Sequence, residues 1–235
     1  MVKFMEMSLD RILQIYVIYV LIAALFLFYA RKIKTRTKDK EGDNTQAQLL
    51  VAFFTLSGGG LVLNMIYAPF DYELVQQIGN FTIFVMTAMG LACLLFFIIY
   101  LRFSILEFPK KRMARYLLLV FIISLGVFFI PDAFTLAEGG RPVYSLPMTI
   151  YTILLSQVLF FMAIIWLYKF VGTIDDKSVK RRLLLFAFGL LMINVSMLMT
   201  FMRNGELVAG TITLILQLVV VPGNIMIYYA VGRDI

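Results

Sequence analysis

Apolar residues run along this chain in stretches of about 20, broken by short clusters of charge, proline and glycine. Each stretch is long enough to cross a ~30 Å hydrocarbon layer as a helix. Seven occur, at about residues 10–30, 49–68, 77–101, 114–131, 147–170, 182–202 and 208–231. The first resembles a signal peptide only in its position. Its apolar run from Ile12 to Ala30 exceeds the roughly 7–15 residues of a cleaved segment and stops at Arg31 and Lys32. The connections carry polar or turn chemistry, as in Ala68-Pro69-Phe70-Asp71, Glu107-Phe108-Pro109-Lys110 and Ala137-Glu138-Gly139-Gly140-Arg141-Pro142. The longest, Arg31 to Gln48, is rich in charge, and a mobile loop is expected there. The pattern predicts an all-α, polytopic membrane protein, a single seven-helix transmembrane domain over residues 1–235, placed in the cell membrane.

Lysine and arginine set the orientation of such a bundle, because basic residues near span ends stay cytoplasmic. The first, third and fifth loops and the C-terminal tail hold 17 of the 21 basic residues. Only Lys3, Arg11, Arg141 and Arg203 fall on the other side. The N-terminus is therefore expected outside and the C-terminus in the cytoplasm. The basic inner face then meets anionic lipid headgroups, with docking of a cytoplasmic protein as the alternative.

Composition narrows the function classes. Hydrophobic residues make up 62% of the chain and charged ones 15%, where soluble domains have roughly 45–50% and about 25%. The net charge of +7 lies in loops, tails and span ends, which explains it without nucleic acid. A single cysteine, Cys93, gives neither a disulfide framework nor a zinc cluster. The chain has no histidine, which removes bis-histidine haem, histidine metal sites and a histidine base together. The seventh stretch has no lysine, so it offers no Schiff base for retinal. No nucleophile with its base, phosphate loop or nucleotide fingerprint occurs. The expectation is a protein that is not an enzyme and carries no cofactor, catalytic residue or metal site.

Ionisable residues are missing from the centre of every stretch, which argues against a proton pump or a cation-coupled transporter. Uncharged polar residues do occur, mostly toward the expected outer half. Ser57, Asn64 and Tyr67 share one helical face. Asn80, Thr82 and Thr87 lie in the third stretch, Thr149, Thr152, Ser156 and Gln157 in the fifth, Asn194 and Ser196 in the sixth, and Thr213, Gln217 and Asn224 in the seventh. The fourth offers only Ser124. Two readings stay open. These residues hydrogen-bond between helices, each bond worth roughly 0.6 kcal/mol, or they line an outward cavity ringed by the second, third, fifth, sixth and seventh stretches. In the second reading Asn64, Tyr67, Asn80, Ser156, Gln157, Asn194, Thr213 and Gln217 bind a ligand. With no charge to pair against, that ligand would be neutral. Gly58-Gly59-Gly60 permits close packing or a gate, and Pro222-Gly223 invites a kink.

The segment from Leu95 reads Leu-Phe-Phe-Ile-Ile-Tyr-Leu-Arg-Phe-Ser, followed by a short basic loop and an apolar helix ending Ile-Pro-Asp-Ala-Phe-Thr at Thr135. With the outward N-terminus, seven spans and an aromatic run around Tyr100, it resembles the seven-transmembrane sensor region at the N-terminus of prokaryotic histidine kinases. The resemblance covers the first five spans. It implies a receptor-like signalling module that binds a small neutral molecule or lipid from the outer side. Gly232-Arg233-Asp234-Ile235 follows the last span in place of a dimerisation helix and kinase domain, so a protein partner is expected. An accessory subunit of a larger membrane complex and a neutral-solute or lipid transporter stay open beside this reading.

Two outcomes follow from these counts. A reporter fused after Ile235 is expected to be cytoplasmic and one at Glu138-Gly139-Gly140 external; an external C-terminal reporter reverses the assignment. The purified protein is expected to stay colourless after incubation with retinal or haem, as read by visible absorption.

Overall fold

Hydrocarbon cannot satisfy backbone polar groups, so long apolar runs become helices that bond internally. The computed structural model describes residues 7–38, 44–103, 108–137, 141–208 and 210–232. Lys3, Lys40, Ser104, Glu107, the Glu138-Gly139-Gly140 segment and the tail from Arg233 lie outside the described residues. Six helices are long and apolar enough to cross a membrane: α1 (Arg11–Thr37), α2 (Thr45–Tyr67), α3 (Glu73–Arg102), α4 (Lys110–Phe129), α5 (Leu146–Val171) and α6 (Lys177–Asn204). A shorter apolar stretch, Ile215–Val231, completes the bundle. It is divided between α7 (Gly210–Gln217) and α8 (Val220–Ile227), and a π-helical turn, Tyr228–Gly232, follows. The chain is a multi-pass helical membrane protein.

α1 runs past the end expected near residue 30. Lys and Arg are good helix formers and favour the negative end of the helix dipole, and Thr37 bonds back to the carbonyl of Ile33 at 3.0 Å. At the start of α6 the Asp176 carboxylate accepts from the N–H groups of Ser178 and Val179, at 2.7 and 3.2 Å. That is the usual way an aspartate satisfies the first orphan donors of a helix.

α3 is the axis of the bundle. Within its apolar window 67% of residues are buried, against 11% for α4, which packs on the outside of α3. The neighbours run α1, α2, α3, α5, α6, then α7 and α8, and α8 returns to α1. The fourth stretch is thus left out of the ring, in keeping with its lack of polar residues. Phe53, Phe54, Phe97 and Phe186 fill the main core. Large apolar residues such as Leu118, Ile122, Leu154 and Phe161 face outward, as a lipid-facing surface requires.

An antiparallel hairpin joins α4 to α5 where an irregular turn was expected. Strands β1 (Phe134–Leu136) and β2 (Pro142–Tyr144) pair in the register Phe134 with Tyr144 and Leu136 with Pro142. Alternation buries Phe134 and Tyr144 on one side, which drives the pairing. Arg141 ties the hairpin to Glu206 beyond α6.

Pro222 does not kink a continuous helix. The helix stops before it and restarts at Val220, so the missing N–H of Pro222 falls in the first turn, where none is needed. Across the break the bonds are of the tighter i→i−3 type: Leu218 to Ile215, Val219 to Leu216 and Val221 to Leu218, at 3.0–3.3 Å.

Two glycines allow α6 and α8 to touch. A Cβ on Gly189 would lie 2.7 Å from the carbonyl oxygen of Gly223, and one on Gly223 would lie 2.9 Å from that of Gly189. Neither backbone can yield without moving a helix. By contrast, a Cβ on Gly60 meets nothing nearer than Ile83 at 3.6 Å. Gly189→Ala is therefore expected to lower the melting temperature in detergent, by about 1–3 kcal/mol of overpacking. Gly60→Ala is expected to leave it unchanged or raise it. Equal effects of the two changes would remove the close crossing.

Candidate ligand-binding cavity

At the hairpin end the helices stop short of complete packing. A cavity of about 160 Å³ lies between α1, α2, α3, α6 and the α7–α8 junction, with Pro142 and Tyr144 of the hairpin contributing. The lining farther from the hairpin is mainly apolar, from Ile22, Phe26, Phe53, Leu91, Ile193 and Val220, with Ser57 and Thr87 among them. Nearer the hairpin it is polar, with Arg11, Asn64, Asn80, Tyr144, Asn204 and Gln217. No aspartate or glutamate lines it.

A buried hydrogen-bond network builds one wall. The first turn of α1 gives way to a π-helical segment, Gln14–Tyr19. On a regular helix Gln14 and Tyr19, five apart, would point about 140° away from each other. The wider turn brings them together, and Gln14 Nε2 donates to the Tyr19 phenol at 2.7 Å and to Gln217 Oε1 at 3.1 Å. Gln217 Nε2 then donates to Thr200 Oγ1 at 3.1 Å. The Ser196 hydroxyl donates to the Gln217 backbone carbonyl at 3.0 Å. That carbonyl has lost its helical donor, because the Val221 N–H goes to Leu218 instead.

The opposite wall is held from the α2–α3 turn. The Gln76 side-chain amide lies 2.8–3.1 Å from the carbonyls of Tyr67, Ala68 and Phe70 and closes the end of α2. Asn64 Nδ2 donates to the Tyr67 phenol at 2.9 Å. Asn80 donates to the Gln76 carbonyl and accepts from the Tyr144 phenol at 3.3 Å. The Tyr144 phenol is pushed up to about 12, mainly by burial, against the opposing pull of the Asn204 hydrogen bond and the charge of Arg11. Tyr144 is therefore a neutral donor at physiological pH.

Some fully buried polar atoms of the lining residues have no partner among the described residues. Arg11 is 3% exposed, and only its Nη1 is engaged, donating to Gln14 Oε1 at 3.2 Å. Its Nε and Nη2 have no hydrogen-bond partner among the described residues, and neither has Asn64 Oδ1. Arg203, 4% exposed, brings a second guanidinium to the same end.

Of the eight residues expected from the sequence, Asn64, Asn80 and Gln217 line the cavity. Tyr67 and Thr213 are buried but do not line it. Ser156 bonds back to the Thr152 carbonyl at 2.8 Å on α5, which contributes no lining residue. Gln157 and Asn194 exchange two hydrogen bonds, at 2.9 and 3.1 Å, between α5 and α6. α1 takes the place expected for α5 in the ring, through Arg11 and Tyr19. The Gln14–Tyr19 pairing had no signal in a 3.6-residue period, and Arg11 read as a topology charge. Tyr144 and Asn204 lay outside the spans considered. Among the described residues no group of three or more His, Cys, Asp or Glu could hold a metal ion.

Compared with known proteins, the chain matches no family model, no curated sequence and no solved structure.

Proposed function

We propose that the chain is a seven-span, receptor-like module of the cell membrane, with its N-terminus outside, that takes a small molecule into the hairpin-end cavity and acts through a partner protein. The observation that carries this reading is the contrast between two kinds of buried polar group. Gln157 and Asn194 satisfy each other and leave no space, as helix-packing amides do. Arg11, Asn64, Asn80, Tyr144, Asn204 and Gln217 instead converge on a cavity of about 160 Å³. A concave space with a mostly apolar lining and a few convergent polar groups is the usual form of a small-molecule site.

The inner half of the bundle supports a receptor over a transporter. It is filled by stacked rings, with Tyr29 and Tyr228 4.4 Å apart and nearly parallel, and Phe54 packed against Tyr29. No second cavity is needed for binding on one side, whereas transport requires a route through this half.

Engineered apolar cavities of about 150 Å³ hold a benzene ring, so benzyl alcohol, benzamide and benzoate are suitable probes. At least one is expected to raise the melting temperature saturably, by up to about 2.7 kcal/mol at a hundredfold excess over Kd. Thr87→Phe and, independently, Ser57→Leu extend cavity-lining side chains into this space and are expected to remove the effect. The absence of a saturable shift with every probe, or a shift that persists in both variants, overturns the reading.

A further inference from the structure

We infer that the corner where α3, α4 and α5 meet, at the end of the bundle away from the hairpin, seats the phosphate headgroup of an anionic phospholipid. The site is separate from the cavity, and it does not depend on which face of the membrane that end occupies. Charge is its first ground. The loops and tail at this end hold 17 basic residues against seven acidic ones, so ten positive charges remain even with every acid paired. Six of the 17 belong to this corner: Arg102 at the end of α3, Lys110, Lys111, Arg112 and Arg115 in the opening turns of α4, and Lys169 in the last turn of α5. The chain from Leu101 to Tyr116 carries one acid, Glu107. Among the described residues Arg102, Lys111, Arg112, Arg115 and Lys169 form no ion pair. Four cations at the positive end of the α4 dipole are unfavourable by themselves, and Pro109 before them supplies no capping side chain.

These cations are held on an aromatic platform. The Arg102 guanidinium lies 5.2 Å from the centre of the Phe103 ring and 5.5 Å from that of Trp166, and Lys169 Nζ lies 5.3 Å from the same indole. Arg112 lies 5.9 Å from the Phe108 ring. Phe103 meets Trp166 edge to face at 5.5 Å, and the Tyr100 hydroxyl donates to the Phe108 carbonyl at 2.8 Å, which ties the start of α4 to the end of α3. An aromatic face attracts a cation without neutralising it. Trp166 therefore gathers two like charges and leaves both to be balanced. Tryptophan at a span end lies at headgroup level, and the anion found at that depth is the lipid phosphate. Basic pockets between spans bind such headgroups.

The surface beside the charges fits the rest of a lipid. α4 is the least covered of the six long spans. It turns Leu118 and Ile122 outward, and α5 turns Phe161 and Ile165 outward. Acyl chains cover such side chains while the headgroup meets the cations. A soluble acidic partner would match the charges and leave the apolar surface unmet.

Trp166 is the only tryptophan in the chain, so its emission reports on this corner alone. The test places the full chain in bilayers of phosphatidylcholine and phosphatidylglycerol, with one lipid at a time brominated on its acyl chains. Bromine beside the indole quenches its emission, and the ratio of quenching by the two lipids gives their relative occupancy. Phosphatidylglycerol is expected to occupy the corner at least about fivefold above its share of the bilayer, the effect of one well-placed basic residue. Arg102→Gln combined with Lys169→Gln is expected to remove this preference. Lys169→Gln alone, at an exposed position that leaves the packing intact, is expected to lower it part of the way. Arg31→Gln combined with Lys34→Gln removes the same charge from exposed positions on α1 and is expected to leave it unchanged. No preference in the native chain overturns the inference. Equal loss in the two double variants also overturns it, because the charges then act only as a diffuse field. Displacement of the lipid by polyglutamate assigns the corner to an acidic protein partner and overturns it as well.

Discussion

Inside a bilayer an unmet backbone carbonyl has no water to turn to, and the break between α7 and α8 creates one at Gln217. The Ser196 hydroxyl meets it, which fixes the last span against α6 at that level. Seven residues back along α6 and six forward along the last span, Gly189 and Gly223 meet backbone to backbone. The two contacts set an antiparallel register between these elements. With the backbone held, the Gln217 side chain reaches Thr200 on one side and Gln14 on the other, so α1 is drawn into the same wall. One unsatisfied carbonyl thus organises three of the elements that surround the cavity.

The same constraint separates groups that pack from groups that wait. Each interhelical bond contributes only roughly 0.6 kcal/mol on average, so no single amide is indispensable to the fold. What distinguishes the hairpin end is that its buried polar side chains converge on a cavity. Arg11 is the extreme case. Its guanidinium donates to Gln14 at the start of α1, and the residue lines a space whose far boundary is mainly aromatic and aliphatic.

Much of the fold was legible in the sequence because apolar run length is a one-dimensional property. The ends of α2, α3, α5 and α6 fall close to where hydropathy placed them, and the polar-poor fourth stretch lies outside the ring. The site was legible in part. Depth along a helix can be counted, which brought Asn64, Asn80 and Gln217 into view. Azimuth depends on neighbours and on local pitch, and it cannot be counted in the same way. Gln157 and Asn194 sit at matching depths because they bond to each other, not because they share a cavity. Ser156 spends its hydroxyl on its own helix. The hairpin was hidden because strands of three residues carry too little alternation to stand out.

The π-helical segment at Gln14–Tyr19 has a consequence for the length of the chain as well as its composition. A π turn holds about one residue more than an α turn. Deleting any one residue between Gln14 and Tyr19 would let the ordinary ladder close, rotate the first turn of α1 by about 100° and draw it in by about 1.5 Å. Arg11 would then leave the cavity with every side chain of the site still present. The spacing between the guanidinium and the body of the helix is therefore a feature that an indel can erase and a point substitution cannot reveal.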